Sequence, residues 1–76
     1  MLERKTINYS VVSAYEKIEG EIKKTVVTIE DADGFRYKGK VCSYISDDSA
    51  QNYALAQRHA VLNMVHSMEL EFYYGH

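Results

Sequence analysis

The sequence predicts an α+β fold in which an antiparallel three-stranded β-meander packs on one C-terminal α-helix. Residues 25–31 and 35–45 alternate in character or are β-branched, as strands are, and the turn sequence DADG separates them. Residues 47–68 instead repeat apolar side chains at spacings of three and four, which is typical of one helix face. With 76 residues, the chain is expected to be a single small domain spanning 1–76.

The first twenty residues fit two structures. Residues 7–15 alternate enough for a strand, and the chain would then turn at Glu19 and Gly20. The positions that would instead share a helix face are Val11, Tyr15, Ile18 and Ile22. Because Gly20 costs about 1 kcal/mol inside a helix and valine favours strands, we prefer the strand. The alternative order is a helix, a β-hairpin and a second helix.

The hairpin contains two glycines with different expected roles. Gly34 closes the turn, where a positive φ is needed. Gly39 lies inside the second strand, which indicates a bulge or a close approach by another backbone. Alternation should direct one set of side chains toward the helix. That set is Phe35, Tyr37, Val41 and Ile45.

The helix is expected to start near two acidic residues, Asp47 and Asp48, which suit the positive end of the helix dipole. Its predicted apolar face is Ala50, Ala54, Gln57, Val61, Met64, Val65 and Met68, widened by Tyr53, Leu55 and Leu62. Ala54 and Val61 in particular should face the sheet. The last residues, 69–76, are expected to form an extra edge strand or a frayed end.

Composition argues against several kinds of chemistry. The formal charge of −2 does not suit a strongly basic nucleic-acid binder. Cys42 has no partner for an intramolecular disulfide, and no catalytic dyad is indicated. His59 and His66 are about 10.5 Å apart along a helix, too far for one tetrahedral zinc ion. We expect no enzyme, metal or cofactor, no signal peptide or membrane span, and a cytoplasmic location.

Residues 26–65 resemble the C-terminal half of double-stranded-RNA-binding domains in the order of hairpin and alanine-rich helix. The resemblance implies the fold. Where that family has lysines at the helix start, this chain has Ser46, Asp47, Asp48 and Ser49, and acids there would repel phosphate. The outline is also similar to small phage-encoded inhibitors, including anti-CRISPR proteins, which are short, acidic, cysteine-poor and tyrosine-rich.

Three functional hypotheses follow. The first is a small protein-binding inhibitor or regulator, phage-encoded and active in the host cytoplasm, that occludes another protein's nucleic-acid-binding or working surface. Its predicted partner-binding residues are Asp31, Asp33, Asp47, Asp48, Tyr53, Glu69, Glu71, Tyr73 and Tyr74. The second is a nucleic-acid-binding domain that uses Arg36, Lys38 and Lys40 on one strand face. The third is a subunit that dimerises through the sheet edge or the tail. Negative net charge favours the first.

Overall fold

The computed structural model describes the backbone of residues 8–74 and the side chains of residues 8–67. Three strands form one antiparallel sheet in the order β1-β2-β3, and a helix follows them. The elements are β1 (Tyr9–Glu19), β2 (Ile22–Asp31), β3 (Arg36–Tyr44) and α1 (Ser49–Tyr74). The predicted meander with a C-terminal helix is confirmed, and the alternative of helix, hairpin and helix is wrong.

Both turns of the meander depend on glycine. Gly20 has a φ of 62° and Gly34 a φ of 88°, a backbone region that side chains disfavour. In the second turn, one carboxylate oxygen of Asp31 accepts hydrogen bonds from the backbone nitrogens of Asp33 and Phe35, each at 2.9 Å. The turns predicted at both glycines are therefore confirmed.

Gly39 lies where α1 crosses β3. A β-carbon at this position would overlap the carbonyl oxygen of Ala56 and lie 2.5 Å from the Ala60 nitrogen. The register is continuous here, with Val27 opposite Gly39, so the strand contains no bulge at the glycine. Of the two roles predicted for Gly39, the close approach of another backbone is the one observed. The single irregularity in the described ladders is a bulge in β1, between Val11 and Ser13.

The core is thin and lies between α1 and the two strands β2 and β3. Its fully buried members are Val27, Ile29, Ala56, Ala60 and Met64, and Tyr37, Val41, Tyr53 and Val61 pack partly buried against them. The helix runs antiparallel to β3, because Asn52 reaches Ser43 while Asn63, a later residue, reaches Lys38. The strand β1 has few contacts with α1, among them a hydrogen bond at 3.0 Å from the Gln57 amide to the Tyr9 hydroxyl.

The predicted helix face is partly wrong. Met64 is buried, and Val61, Val65 and Gln57 are half-buried, as expected, but Ala50 and Ala54 are exposed. Met68 lies outside the described side chains. The buried stripe runs instead through Asn52, Ala56, Ala60 and Met64. Leu55 and Leu62 are exposed as well. The reason is the contact at Gly39, which places small residues at the closest approach and turns longer ones outward.

Two other expectations about apolar residues are wrong. Phe35 and Ile45 were expected to face the helix, but they are 65% and 50% exposed. Both lie just outside the ends of β3, where strand alternation no longer applies. Tyr37 and Val41, which lie inside the strand, pack against the core as predicted.

The tail prediction is also corrected. Residues 69–74 continue α1 and form neither an edge strand nor a frayed end, and residues 75–76 lie outside the described part. Between residues 8 and 74, no helix has the combined length and hydropathy that crossing a bilayer requires.

Replacing Gly39 with alanine should lower the free energy of unfolding by about 3 kcal/mol or more, since the new methyl group meets helix backbone. Urea denaturation measures this directly. Lys38→Ala, at the neighbouring exposed position, is the control and should change stability by about 0.5 kcal/mol or less. Equal stability of the two variants would contradict the close helix–strand contact.

The corrected helix face gives a second matched pair. Ala60→Asp places an unpaired charge at a fully buried position and should cost about 3 kcal/mol or more. Ala54→Asp lies at an exposed position of the same helix and should cost about 1 kcal/mol or less. Thermal melts of both proteins compare their stabilities. A larger loss in Ala54→Asp than in Ala60→Asp would support the helix face predicted from the sequence instead.

Candidate functional site

The candidate site is the face of the sheet that points away from α1, which we call the open face. Opposed residues of an antiparallel sheet share a face, so the strand register defines its members. They are Ser10, Ser13, Tyr15, Lys17 and Glu19 of β1, Ile22, Lys24, Val26, Thr28 and Glu30 of β2, and Arg36, Lys38, Lys40, Cys42 and Tyr44 of β3. No described helix covers this face.

The open face is positively charged although the protein is not. The three predicted cations Arg36, Lys38 and Lys40 are all exposed on it. The register adds Lys17 and Lys24, which lie directly opposite each other on β1 and β2 and are also exposed. Five cations against the two carboxylates of Glu19 and Glu30 leave three positive charges. More than half of the nine Lys and Arg residues thus share one surface.

The two carboxylates neutralise only part of the open face. Glu30 pairs with Arg36 at 3.0 Å, and Glu19 contacts the Lys17 and Lys24 ammonium groups at 3.2 and 3.5 Å. The hydrogen bond from Lys17, and next the charge of Lys24, hold the pKa of Glu19 below its ordinary value. Among the described residues, no ion pair involves Lys38 or Lys40.

A depression of about 350 Å³ lies in the middle of the open face. Val26 forms its floor and is only 6% exposed, because Tyr15 and Lys40 flank it on the neighbouring strands. The full lining is Tyr15, Lys17, Glu19, Lys24, Val26, Lys40 and Cys42. The depression therefore combines an aromatic ring, an apolar floor and three ammonium groups.

Two tyrosines present their rings on the open face. Tyr15 is 50% exposed in the middle of β1, and Tyr44 is 64% exposed at the end of β3. From the spacings of a regular sheet, their Cα atoms are roughly 16 Å apart. Neither was singled out from the sequence as a site residue.

The acidic residues predicted to bind a partner lie in two separate groups. Asp31 and Asp33 are at the β2–β3 turn, whereas Asp47 and Asp48 precede α1 at the other end of β3, roughly 27 Å away. Asp31 is buried, and its second carboxylate oxygen accepts a hydrogen bond from the Tyr37 hydroxyl at 3.1 Å. Asp33 is exposed at the tip of the turn. The four carboxylates do not form one surface.

The carboxylates before the helix have local bonding partners. Asp47 accepts a hydrogen bond from the Tyr44 nitrogen, and Asp48 caps α1 by accepting one from the Ala50 nitrogen, each at 2.9 Å. The predicted role of Asp48 at the helix start is confirmed. Both contacts are structural, and partner binding by these residues stays a prediction.

Lys23 fixes the loop that carries these two aspartates. Its side chain is buried, and the ammonium group donates hydrogen bonds to the Asp47 carbonyl at 2.8 Å and the Ser49 hydroxyl at 3.0 Å. Glu16 lies 3.9 Å from the same ammonium group and offsets its charge. The start of α1 is thereby attached to the middle strand of the sheet.

The remaining predicted residues lie away from both groups. Tyr53 is half-buried and packs against the core, so much of its ring is not available to a partner. Glu69, Glu71, Tyr73 and Tyr74 belong to the last turns of α1, and their side chains lie outside the described residues.

The residues considered for nucleophilic and metal chemistry, Cys42 and His59, lie on opposite sides of the sheet. Cys42 is exposed on the open face, whereas His59 lies on the helix side, where its ring is 3.2 Å from the Lys40 carbonyl. Since a carbonyl only accepts, the ring nitrogen Nδ1 donates in this bond. Cys42 therefore lies in β3 with its side chain exposed. Within residues 8–67, no three His, Cys, Asp or Glu side chains are placed to hold a metal ion.

No protein-family model matches the chain, and no curated protein or solved structure matches it either. The resemblances to double-stranded-RNA-binding domains and to phage inhibitors remain predictions. We therefore infer function from the surfaces described above.

Proposed function

We propose that the protein is a non-enzymatic binding module whose open face takes single-stranded nucleic acid. The observation that supports this most is the collection of five cations and two exposed tyrosines on one uncovered sheet face. The strand register adds Lys17 and Lys24 to the three cations identified from the sequence. The charge of this one surface therefore favours nucleic-acid binding, although the net charge of the protein does not. We place the protein in the cytoplasm, where an exposed unpaired thiol such as Cys42 stays reduced.

Single strands suit this surface better than duplexes. Unpaired bases can stack on exposed aromatic rings, each stacked base contributing about 1–3 kcal/mol, while lysines and arginines neutralise the phosphates. Tyr15 offers such a ring beside Lys24 and Lys40 in the central depression. In contrast, the helix start carries Asp47 and Asp48, where the family that binds double-stranded RNA has lysines. The helix start therefore gives no support to duplex binding.

The second candidate is the inhibitor or regulator, phage-encoded and anti-CRISPR-like, that occludes a partner protein. Its support is the exposure of large apolar side chains outside the open face. Leu55 and Leu62, 39% and 56% exposed, lie two turns apart on one side of α1, and Phe35 is 65% exposed at the turn. Exposed apolar side chains can serve as anchors in a contact with another protein. The exposed carboxylates at the two ends of β3, Asp33 before the strand and Asp47 and Asp48 after it, would act as displacing charges.

Fluorescence anisotropy with a labelled single-stranded oligonucleotide tests the first candidate. Affinity should fall with salt, with a log–log slope between about −2 and −3.5 for three to five phosphate contacts. Replacing Lys24 and Lys40 together with glutamine should weaken binding and reduce the slope by about 1.4. Arg58→Gln removes an exposed cation on the helix side and is the matched control.

Glu19→Gln gives the opposite arm of the same experiment. It frees Lys17 and Lys24 from their shared carboxylate and raises the charge of the open face by one unit, so binding should tighten. Acidification should act in the same direction as Glu19 becomes protonated, at a pH below the ordinary range for a glutamate. Absence of salt-sensitive binding, or equal losses in Arg58→Gln, would sink this candidate and leave the protein-binding inhibitor.

A further inference from the structure

We propose that the outer edge of β1 pairs with β1 of a second copy of this chain, antiparallel and centred on Tyr15, to form a continuous six-stranded sheet. This pairing is independent of the proposed ligand. Three observations carry it: the difference between the two sheet edges, the direction of the β1 backbone groups, and the charges along the strand.

The two edges of the sheet differ in whether their outward-pointing backbone groups form hydrogen bonds. On the β3 edge, the Lys38 carbonyl accepts a hydrogen bond from the Asn63 amide at 2.7 Å, and the Lys40 carbonyl accepts one from His59. The Tyr44 nitrogen of the same edge donates to Asp47. Among the described residues, no backbone hydrogen bond closes the outer edge of β1. An uncovered strand edge is a template for pairing with another strand.

The closed edge also reveals which β1 groups point outward. Because the Lys38 carbonyl points away from β2, Lys38 and Thr28 form a non-hydrogen-bonded pair. Thr28 must then exchange hydrogen bonds with its other partner, Ser13. By alternation along β1, Ser13, Tyr15 and Lys17 bond to β2. The residues between and after them direct their N–H and C=O groups outward, where no backbone group of the described residues bonds to them. These are Ala14, Glu16 and Ile18.

Charge, the bulge and the length of the paired segment together select one register for self-pairing, since an axis at Ile18 would pair only the last three residues of β1. A two-fold axis at Glu16 would oppose two carboxylates, and one at Lys17 would oppose two ammonium groups. An axis at Ala14 would bring the bulge after Val11 into the paired segment. An axis at Tyr15 opposes Ala14 to Glu16, two outward-directed residues that can exchange hydrogen bonds. This register opposes no like charges.

The apolar groups along β1 fit a shared interface. Because α1 packs over β2 and β3, it leaves Val11, Val12 and Ile18 of β1 exposed at 47%, 43% and 63%. In the proposed register the regular segment Ser13–Lys17 pairs with its own copy, Ile18 of each copy lies beside the bulge of the other, and the Tyr15 rings of both copies are neighbours on the open face. The two open faces then form one surface, which doubles its positive charge.

Disulfide cross-linking tests the register in a Cys42→Ser background, which removes the exposed native thiol. Tyr15→Cys should cross-link to its own copy in a redox buffer, since the opposed Cα atoms would be about 4.5 Å apart. Lys17→Cys lies on the same face of the same strand, but its two copies would be about 13 Å apart and should not cross-link. A mixture of Ser13→Cys and Lys17→Cys should form the heterodimer.

Light scattering over a concentration series gives the second measurement without cysteines. The native chain should show a monomer–dimer equilibrium. Ala14→Pro should remain monomeric with an unchanged far-ultraviolet circular dichroism spectrum, because proline removes an N–H that points away from β2. A native chain that is monomeric at every concentration, or equal self-cross-linking of Tyr15→Cys and Lys17→Cys, would overturn the proposal. Loss of dimers in Ala14→Pro together with the cross-linking pattern would support it.

Discussion

The arrangement of the whole molecule depends on the contact between the backbone of α1 and the backbone of β3 at Gly39. Only glycine leaves room for the Ala56 carbonyl and the Ala60 nitrogen at this crossing. The close approach lets a thin core of small and medium side chains fill the interface. It also centres α1 over β2 and β3, so that one sheet face is covered, the other is open, and β1 extends beyond the helix.

Buried polar side chains hold the two ends of β3 in position. Asp31 organises the turn before the strand by accepting three hydrogen bonds, and Lys23 fixes the loop after it through the Asp47 carbonyl and Ser49. The Asn52 amide donates to the Ser43 hydroxyl at 2.8 Å and adds a buried contact between α1 and β3. Each of these groups has a bonded partner, as burial requires. Acidic residues that the sequence suggests as binding groups thus stabilise the turn and the loop at the two ends of β3.

The sequence predicts elements well and their faces less well. Alternation, two turn glycines and a helical repeat are local patterns, and they are sufficient for the strands and the turns. They mark Gly39 as a bulge or a close contact, and only the structure decides between the two. The buried face of the helix could not be predicted from the same patterns. Apolar periodicity favours Leu55 and Leu62, whereas the close crossing of helix and strand buries Ala56 and Ala60. The sequence analysis also did not identify Lys17 and Lys24 as surface cations of the site, although the short turn at Gly20 determines that they lie opposite each other. Residues that are distant in the sequence share a surface only because the register of the paired strands brings them together.

We propose that the uncovered sheet face is the binding surface and that the helix is its support. The most direct measurement is a titration of the isotope-labelled protein with a single-stranded oligonucleotide, followed by amide chemical shifts. We expect shifts for Tyr15, Lys24 and Lys40, with little change at Ala54 and Arg58 on the helix. Shifts confined to α1 and the Asp47–Asp48 loop, or none at low salt, would contradict it.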